Sequence, residues 1–192
     1  PEMVEKNGYE HYMLKEIYDQ PEAVRRTLSQ KDKIRKILDD IGDIEKICIV
    51  ACGTSYHAAL SGKYIIESEA RIPTNVVLAS EFSHSLNIMD EKTLLIGMSQ
   101  SGETADTIKA LNSVEGPIKL AIVNVEISEM TKIVDYTILT KAGPELSVAA
   151  TKTYTAQVTV MYMIAAILGD NEELLDRLNK VPDYIEEVLE RS

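Results

Sequence analysis

Ser99-Gln100-Ser101-Gly102-Glu103-Thr104 places three hydroxyls, a primary amide and a glycine between the apolar run Thr93–Met98 and a helical pattern starting near Ala105. Cys52-Gly53-Thr54-Ser55 repeats the arrangement between Lys46–Ala51 and a helical pattern starting near Tyr56. Each loop reads as a strand, then glycine with small hydroxyl residues, then a helix start. Free N–H groups at a helix start point outward, and the macrodipole puts about half a positive charge there. Gly102 lets the backbone approach a guest closely, while Ser99, Ser101 and Thr104 add hydroxyls and Gln100 an amide. This chemistry suits a phosphate ester. No lysine sits in either loop, so neither is a G-x-x-x-x-G-K-[ST] nucleotide loop, and no G-x-G-x-x-G fingerprint occurs. A lysine-free hydroxyl cradle fits a monophosphate better than a nucleoside triphosphate with magnesium. The competing reading is that Ser and Thr only cap their helices; two such loops on one edge weigh against it.

A third segment, Ala142-Gly143-Pro144-Glu145 followed by Leu146-Ser147-Val148-Ala149-Ala150-Thr151-Lys152, opens a long apolar helix. Glu145 reads either as an acid or base near a substrate or as an acid favoured by the helix dipole. Lys152 reads as an ion-pair partner before it reads as an anion ligand. His11, His57 and His84 lack ligand spacing with one another, so a metal site is not expected; no cofactor is expected either. Cys48 and Cys52 would share a strand face roughly 13 Å apart at ~3.3 Å per residue, too far for a disulfide or a shared metal. They read as core thiols of a reducing, cytoplasmic compartment.

Positioning these loops requires a sheet. Strands are expected at Lys46–Ala51, Asn75–Leu78, Thr93–Met98, Ile118–Val123 and Tyr136–Leu139. Helices are expected at Tyr56–Glu69, Ala105–Val114, Glu129–Val134 and about Ala149–Leu168. This alternation predicts an α/β fold with a parallel sheet and helices on both faces, and in such sheets ligands bind at the carboxyl ends of the strands. Ahead of it, Tyr9–Tyr18, Pro21–Leu28 and Asp32–Leu38 are helix-prone. Behind it, the tail from Asp170 carries eight acids against three bases, with Leu174, Leu175, Leu178, Val181, Ile185, Val188 and Leu189 at helical spacing. It reads as an amphipathic helix pair packed on the domain, and as a connector towards another. The expected organisation is a helical segment at 1–42, the ligand-binding domain at 43–169 and a helical segment at 170–192.

With 192 residues and 45% hydrophobic content the chain can bury a core without disulfides. Its net charge of −11 argues against nucleic-acid and anionic-membrane partners. The nearly apolar run Val158–Leu168 is well short of the ~20 residues a bilayer span needs. The first twenty residues are acidic and polar and show no signal peptide, and an opening at Pro1 reads as a piece of a longer chain.

Five segments together resemble one family. They are His11–Pro21, Cys52-Gly53-Thr54-Ser55-Tyr56-His57-Ala58, Ala79-Ser80-Glu81-Phe82, Ser99–Thr104 and Ala142–Lys152. Their order is similar to the first sugar isomerase (SIS) domain of the glucosamine-6-phosphate synthases, the isomerizing glutamine:fructose-6-phosphate aminotransferases. The resemblance implies a flavodoxin-like five-stranded parallel sheet and fructose 6-phosphate or glucosamine 6-phosphate as ligand. It implies phosphate contacts from Ser99, Gln100, Ser101 and Thr104. It places Gly53, Thr54 and Ser55 on the sugar or phosphate, and Val148 and Ala149 on the sugar through their backbone. It also implies a homodimer, a glutaminase domain and a second SIS domain that carries most of the catalytic groups. The 192 residues are then expected to bind sugar phosphate without turning it over. Ala150 stands where the family usually has serine, and Ser83-His84-Ser85 replaces a more basic, aromatic stretch. A regulatory SIS sensor of amino-sugar phosphates and an inert α/β domain are the alternative readings; the His11–Pro21 opening favours the enzyme.

Overall fold

The computed structural model describes Lys6 and residues 8–191, the side chains of 85–88 excepted. Five strands, β1 (Lys46–Ala51), β2 (Thr74–Leu78), β3 (Thr93–Met98), β4 (Ile118–Val123) and β5 (Tyr136–Leu139), form one sheet in the order β2-β1-β3-β4-β5. Every pairing is parallel. This is the flavodoxin-like order, and the chain changes direction across the sheet between β1 and β3. All five strands fall where the apolar runs place them, with β2 one residue longer. The central strands are buried on both faces, as a parallel sheet requires.

Alternate strand residues serve two cores. Ile47, Ile49, Leu94, Ile96, Leu120 and Ile122 face α3 (Lys31–Ile41), α4 (Gly53–Glu69), α6 (Lys152–Leu168) and α7 (Glu172–Leu178). Cys48, Val50, Leu95, Ala121 and Val123 face α5 (Ala105–Asn112) and two 3-10 segments at Ala79–Ile88 and Met130–Lys132. α4 and α6 lie against each other over Gly62, where a Cβ would stand 2.5 Å from the Met161 side chain. α1 (Tyr12–Tyr18) and α2 (Gln20–Leu28) precede α3, and α2 packs on α6 and on α8 (Val181–Glu190). The tail is thus the expected helix pair, docked on the domain. Among the described residues no helix is long and apolar enough to cross a membrane.

Several helix boundaries differ from expectation, each for a local reason. α1 begins at Tyr12 rather than Tyr9, because the Tyr9 N–H closes a turn on the Lys6 carbonyl. α5 stops at Asn112, where the Ser113 N–H and hydroxyl both donate to the Ala110 carbonyl. The helix expected at Glu129–Val134 is one 3-10 turn, because the Thr131 hydroxyl bonds back to the Ser128 N–H and carbonyl. α6 starts at Lys152 rather than Ala149. The Glu145 carboxylate accepts the Thr151 N–H at 2.9 Å and the Thr153 N–H at 3.3 Å, so it caps the helix from outside and leaves residues 142–151 as an irregular strap.

Candidate functional site

The carboxyl ends of β1 and β3 are neighbours, Ala51 pairing with Met98. The two hydroxyl-rich loops therefore lie side by side at the point where the chain changes direction. Here a cavity of about 250 Å³ opens. The β3 loop contributes Ser99, Gln100, Ser101 and Thr104, and the first turn of α4 contributes Thr54 and Ser55. The strap and α6 supply the opposite wall: Glu145, Ser147, Val148 and Ala150 from the strap, Thr153 and Gln157 from the helix. No cation is among these twelve residues.

The β3 loop is held by its own hydroxyls. Ser99 Oγ accepts the Gly102 N–H at 3.1 Å and lies 2.8 Å from Thr104 Oγ1; Ser101 Oγ accepts the Glu103 N–H at 3.1 Å. The Asn124 N–H donates to the Gln100 carbonyl and the Met130 N–H to the Gly102 carbonyl, pinning the loop to the end of β4. Neither α4 nor α5 has a side-chain cap at its N-cap residue, Cys52 or Thr104. The hydroxyls shape the loop rather than cap the helices, and both helix starts open on the cavity side with the positive end of their dipoles. Across the cavity the Gln157 amide donates to Ser55 Oγ at 2.9 Å, joining α6 to α4.

Glu145 lines this cavity with both carboxylate oxygens engaged. Oε1 accepts from the Thr151 and Thr153 N–H groups and the Thr151 hydroxyl; Oε2 accepts from the Thr153 hydroxyl. Lys152 does not reach the cavity. It is 3% exposed, and its ammonium lies 2.9 Å from Asp19 Oδ2, which Lys15 also approaches at 2.6 Å. Burial works against the charged Asp19 carboxylate, but the hydrogen bonds from Lys15 and Lys152 prevail and hold it below the usual carboxylate range.

Gly53 and Ala149 are exposed and lie off the cavity wall, although both flank residues that form it. His57 packs its ring edge on Tyr56, while His11 and His84 are exposed; none lines the cavity. Cys52 lies just past the end of β1, and both cysteines carry free thiols in one core. Ala150 is on the wall, so the hydroxyl it lacks is missing from the site itself. The Ser85 side chain lies outside the described residues. Ser147, Thr153 and Gln157 are wall residues that the motifs did not single out. Thr153 and Gln157 lie four apart on one face of α6, but Lys152, Thr155 and Thr159 are polar too and share the same N-terminal half of the helix, so spacing alone did not mark them.

The sequence profile of the SIS domain matches residues 40–167. The chain belongs to that family. It is 53% identical over 190 residues to a glutamine–fructose-6-phosphate aminotransferase (isomerizing) from Methanothermobacter thermautotrophicus, covering 98% of this chain and 32% of that protein. A relative of the same name from Thermococcus kodakarensis is 46% identical, with 96% of this chain and 33% of that one covered. The chain thus spans about a third of the length of these relatives. Among solved structures, the C-terminal domain of glucosamine-fructose-6-phosphate aminotransferase from Francisella tularensis superposes with a TM-score of 0.81 at 35% identity, covering 96% of this chain and 55% of that one. A glucosamine-6-phosphate deaminase from Thermotoga maritima shares the SIS fold at a TM-score of 0.72 and 22% identity, covering 91% of this chain and 54% of that one.

Proposed function

We propose that this SIS domain is the fructose-6-phosphate-binding part of an isomerizing aminotransferase, which makes glucosamine 6-phosphate and glutamate from fructose 6-phosphate and glutamine. One observation carries the reading: six hydroxyl and amide side chains from the β3 loop and the first turn of α4 converge, with two uncapped helix starts, on one cavity with no cationic side chain among its lining residues. Ser99, Gln100, Ser101 and Thr104 take the phosphate. Gly53, Thr54 and Ser55 meet the sugar or the phosphate, and Val148 and Ala149 meet the sugar through their backbone. The identity to aminotransferases over nearly the whole chain supports the choice of ligand.

Isomerisation moves a proton between adjacent carbons and needs a positioned base. Among the described residues, Glu145 is the one carboxylate on the wall. Its oxygens already hold the start of α6, so proton transfer by Glu145 would require it to give up those bonds. The remaining catalytic groups belong to a second SIS domain and the ammonia source to a glutaminase domain of the whole enzyme. That enzyme is a cytoplasmic homodimer in this reading, in keeping with the free thiols. Calorimetric titration of these 192 residues tests the proposal. Fructose 6-phosphate and glucosamine 6-phosphate bind, and unphosphorylated fructose does not. Absence of heat with both esters would overturn it.

A further inference from the structure

The His11–Pro21 segment lies outside the residues matched to the SIS family, yet one of its side chains bonds to the strap that walls the site. Glu16, on α1, is 1% exposed. Its Oε1 accepts the Leu146 N–H at 2.5 Å and its Oε2 accepts the Ser147 hydroxyl. The Ser147 N–H lies 3.3 Å from both oxygens. Ser147 and the adjoining Val148 are cavity wall. Two further side chains of the segment grip the start of α6: Asp19 through Lys152, and Gln20, whose Oε1 accepts the Thr155 hydroxyl at 2.6 Å. A carboxylate buried to this degree is stable only when hydrogen-bonded. Here every hydrogen bond found for it goes to one short stretch of the strap.

We infer that Glu16 is a positioning residue for the sugar: from outside the SIS domain it holds Leu146 and Ser147 so that the strap closes over the hexose, while the β3 loop binds the phosphate independently. The inference rests on the sugar-phosphate reading above and adds a division of labour to it. The phosphate half is built from β3 and α5, with hydrogen bonds of its own. The hexose half depends on a helix more than 120 residues away in sequence, the Glu16–Leu146 and Glu16–Ser147 separations being 130 and 131.

The test compares two probes, fructose 6-phosphate and inorganic phosphate, on the wild-type chain and on Glu16→Gln, with amide exchange followed at Leu146 and Ser147. Glutamine keeps one acceptor oxygen but faces the strap donors with its own NH2. The expected result is about a tenfold loss of affinity for fructose 6-phosphate, as fits loss of a charge-assisted bond. Phosphate affinity stays unchanged, and exchange at the two amides accelerates. Should Glu16→Gln not fold, Glu16→Asp, one methylene too short for the strap, carries the same selective expectation. Equal weakening of both probes would show a merely structural carboxylate and overturn the inference, as would unchanged affinity for both. Failure of the wild-type chain to bind either hexose ester would remove the reading beneath it, a result distinct from both.

Discussion

At the scale of single residues, Gly102 shows how little freedom the β3 loop has. Its φ is +70°, and a Cβ there would lie 2.1 Å from Ser128 Oγ and 2.6 Å from Ser128 Cβ. Gly102→Ala therefore combines left-handed strain with overlap, and we expect a loss of about 2–4 kcal/mol in urea unfolding together with loss of phosphate binding. Ser101→Ala and Thr104→Ala remove single hydroxyls from the wall. Hydrogen bonds to a charged group are worth ~1.5–3 kcal/mol, so each substitution should weaken binding of fructose 6-phosphate by roughly tenfold or more. Ser61→Ala, on α4 but off the wall, should leave the titration unchanged. The loop's place on the cavity was legible from glycine and hydroxyl residues between a strand and a helix; that Gly102 packs on Ser128 instead of facing the cavity was not. Glu16 was not. A carboxylate in an acidic, helix-prone opening looks like any solvated acid until folding brings it to Leu146. Glu145 was legible only as two alternatives, since acid–base chemistry and helix capping ask for the same residue type before a helix.

At the scale of elements, the irregular strap is fixed from both sides. Asn124, after β4, receives the Thr140 hydroxyl and the Ala142 N–H on Oδ1 at 2.8 Å each, and donates to the Gly143 carbonyl at 2.7 Å. Arg26 of α2 donates to the carbonyls of Lys141 and Ala142. Beneath the strap, Asp19 holds two buried ammonium groups and so ties α1 and α2 to α6. Asp19→Ala would strand both cations, and breaking a buried pair costs about 3–5 kcal/mol. Because the folded-state value of Asp19 is depressed, its stabilising contribution is complete above the unfolded-state value of about 3.9. It is then lost as pH falls through the lower folded value. Tm measured between about pH 2 and pH 7 should drop on the acid side for wild type, and less steeply for Asp19→Asn, which starts lower at neutral pH. The three central strands were readable because buried parallel strands are nearly continuous apolar runs. The start of α6 was misread by three residues because its cap comes from Glu145, six residues before Thr151, where no local propensity signals it.

At the scale of the molecule, the sheet separates two cores, and the two thiols share one of them. Burial pushes the Cys48 thiol up to about 12, whereas Cys52 is only half-buried. A thiol reagent at about pH 8 should thus count one cysteine in the native protein and both after denaturation. On the proposed reading, these 192 residues alone should yield no glucosamine 6-phosphate from fructose 6-phosphate and ammonia, while still binding the ester. Sustained product formation would place the proton-transfer base within these 192 residues. The two-faced sheet follows from strand-helix alternation and was plain in the sequence. What the N-terminal helices touch was not, because their partners are distant in the chain.

That distance has a temporal meaning. The Thr27 hydroxyl donates to the Thr140 carbonyl at 2.6 Å, Arg26 reaches residues 141 and 142, and Arg25 pairs with Asp183 and Glu186. During synthesis α1 and α2 precede these partners, which follow more than a hundred residues later. These two helices therefore dock only after the strap and α6 have been made, and with them arrives the carboxylate that fastens the strap.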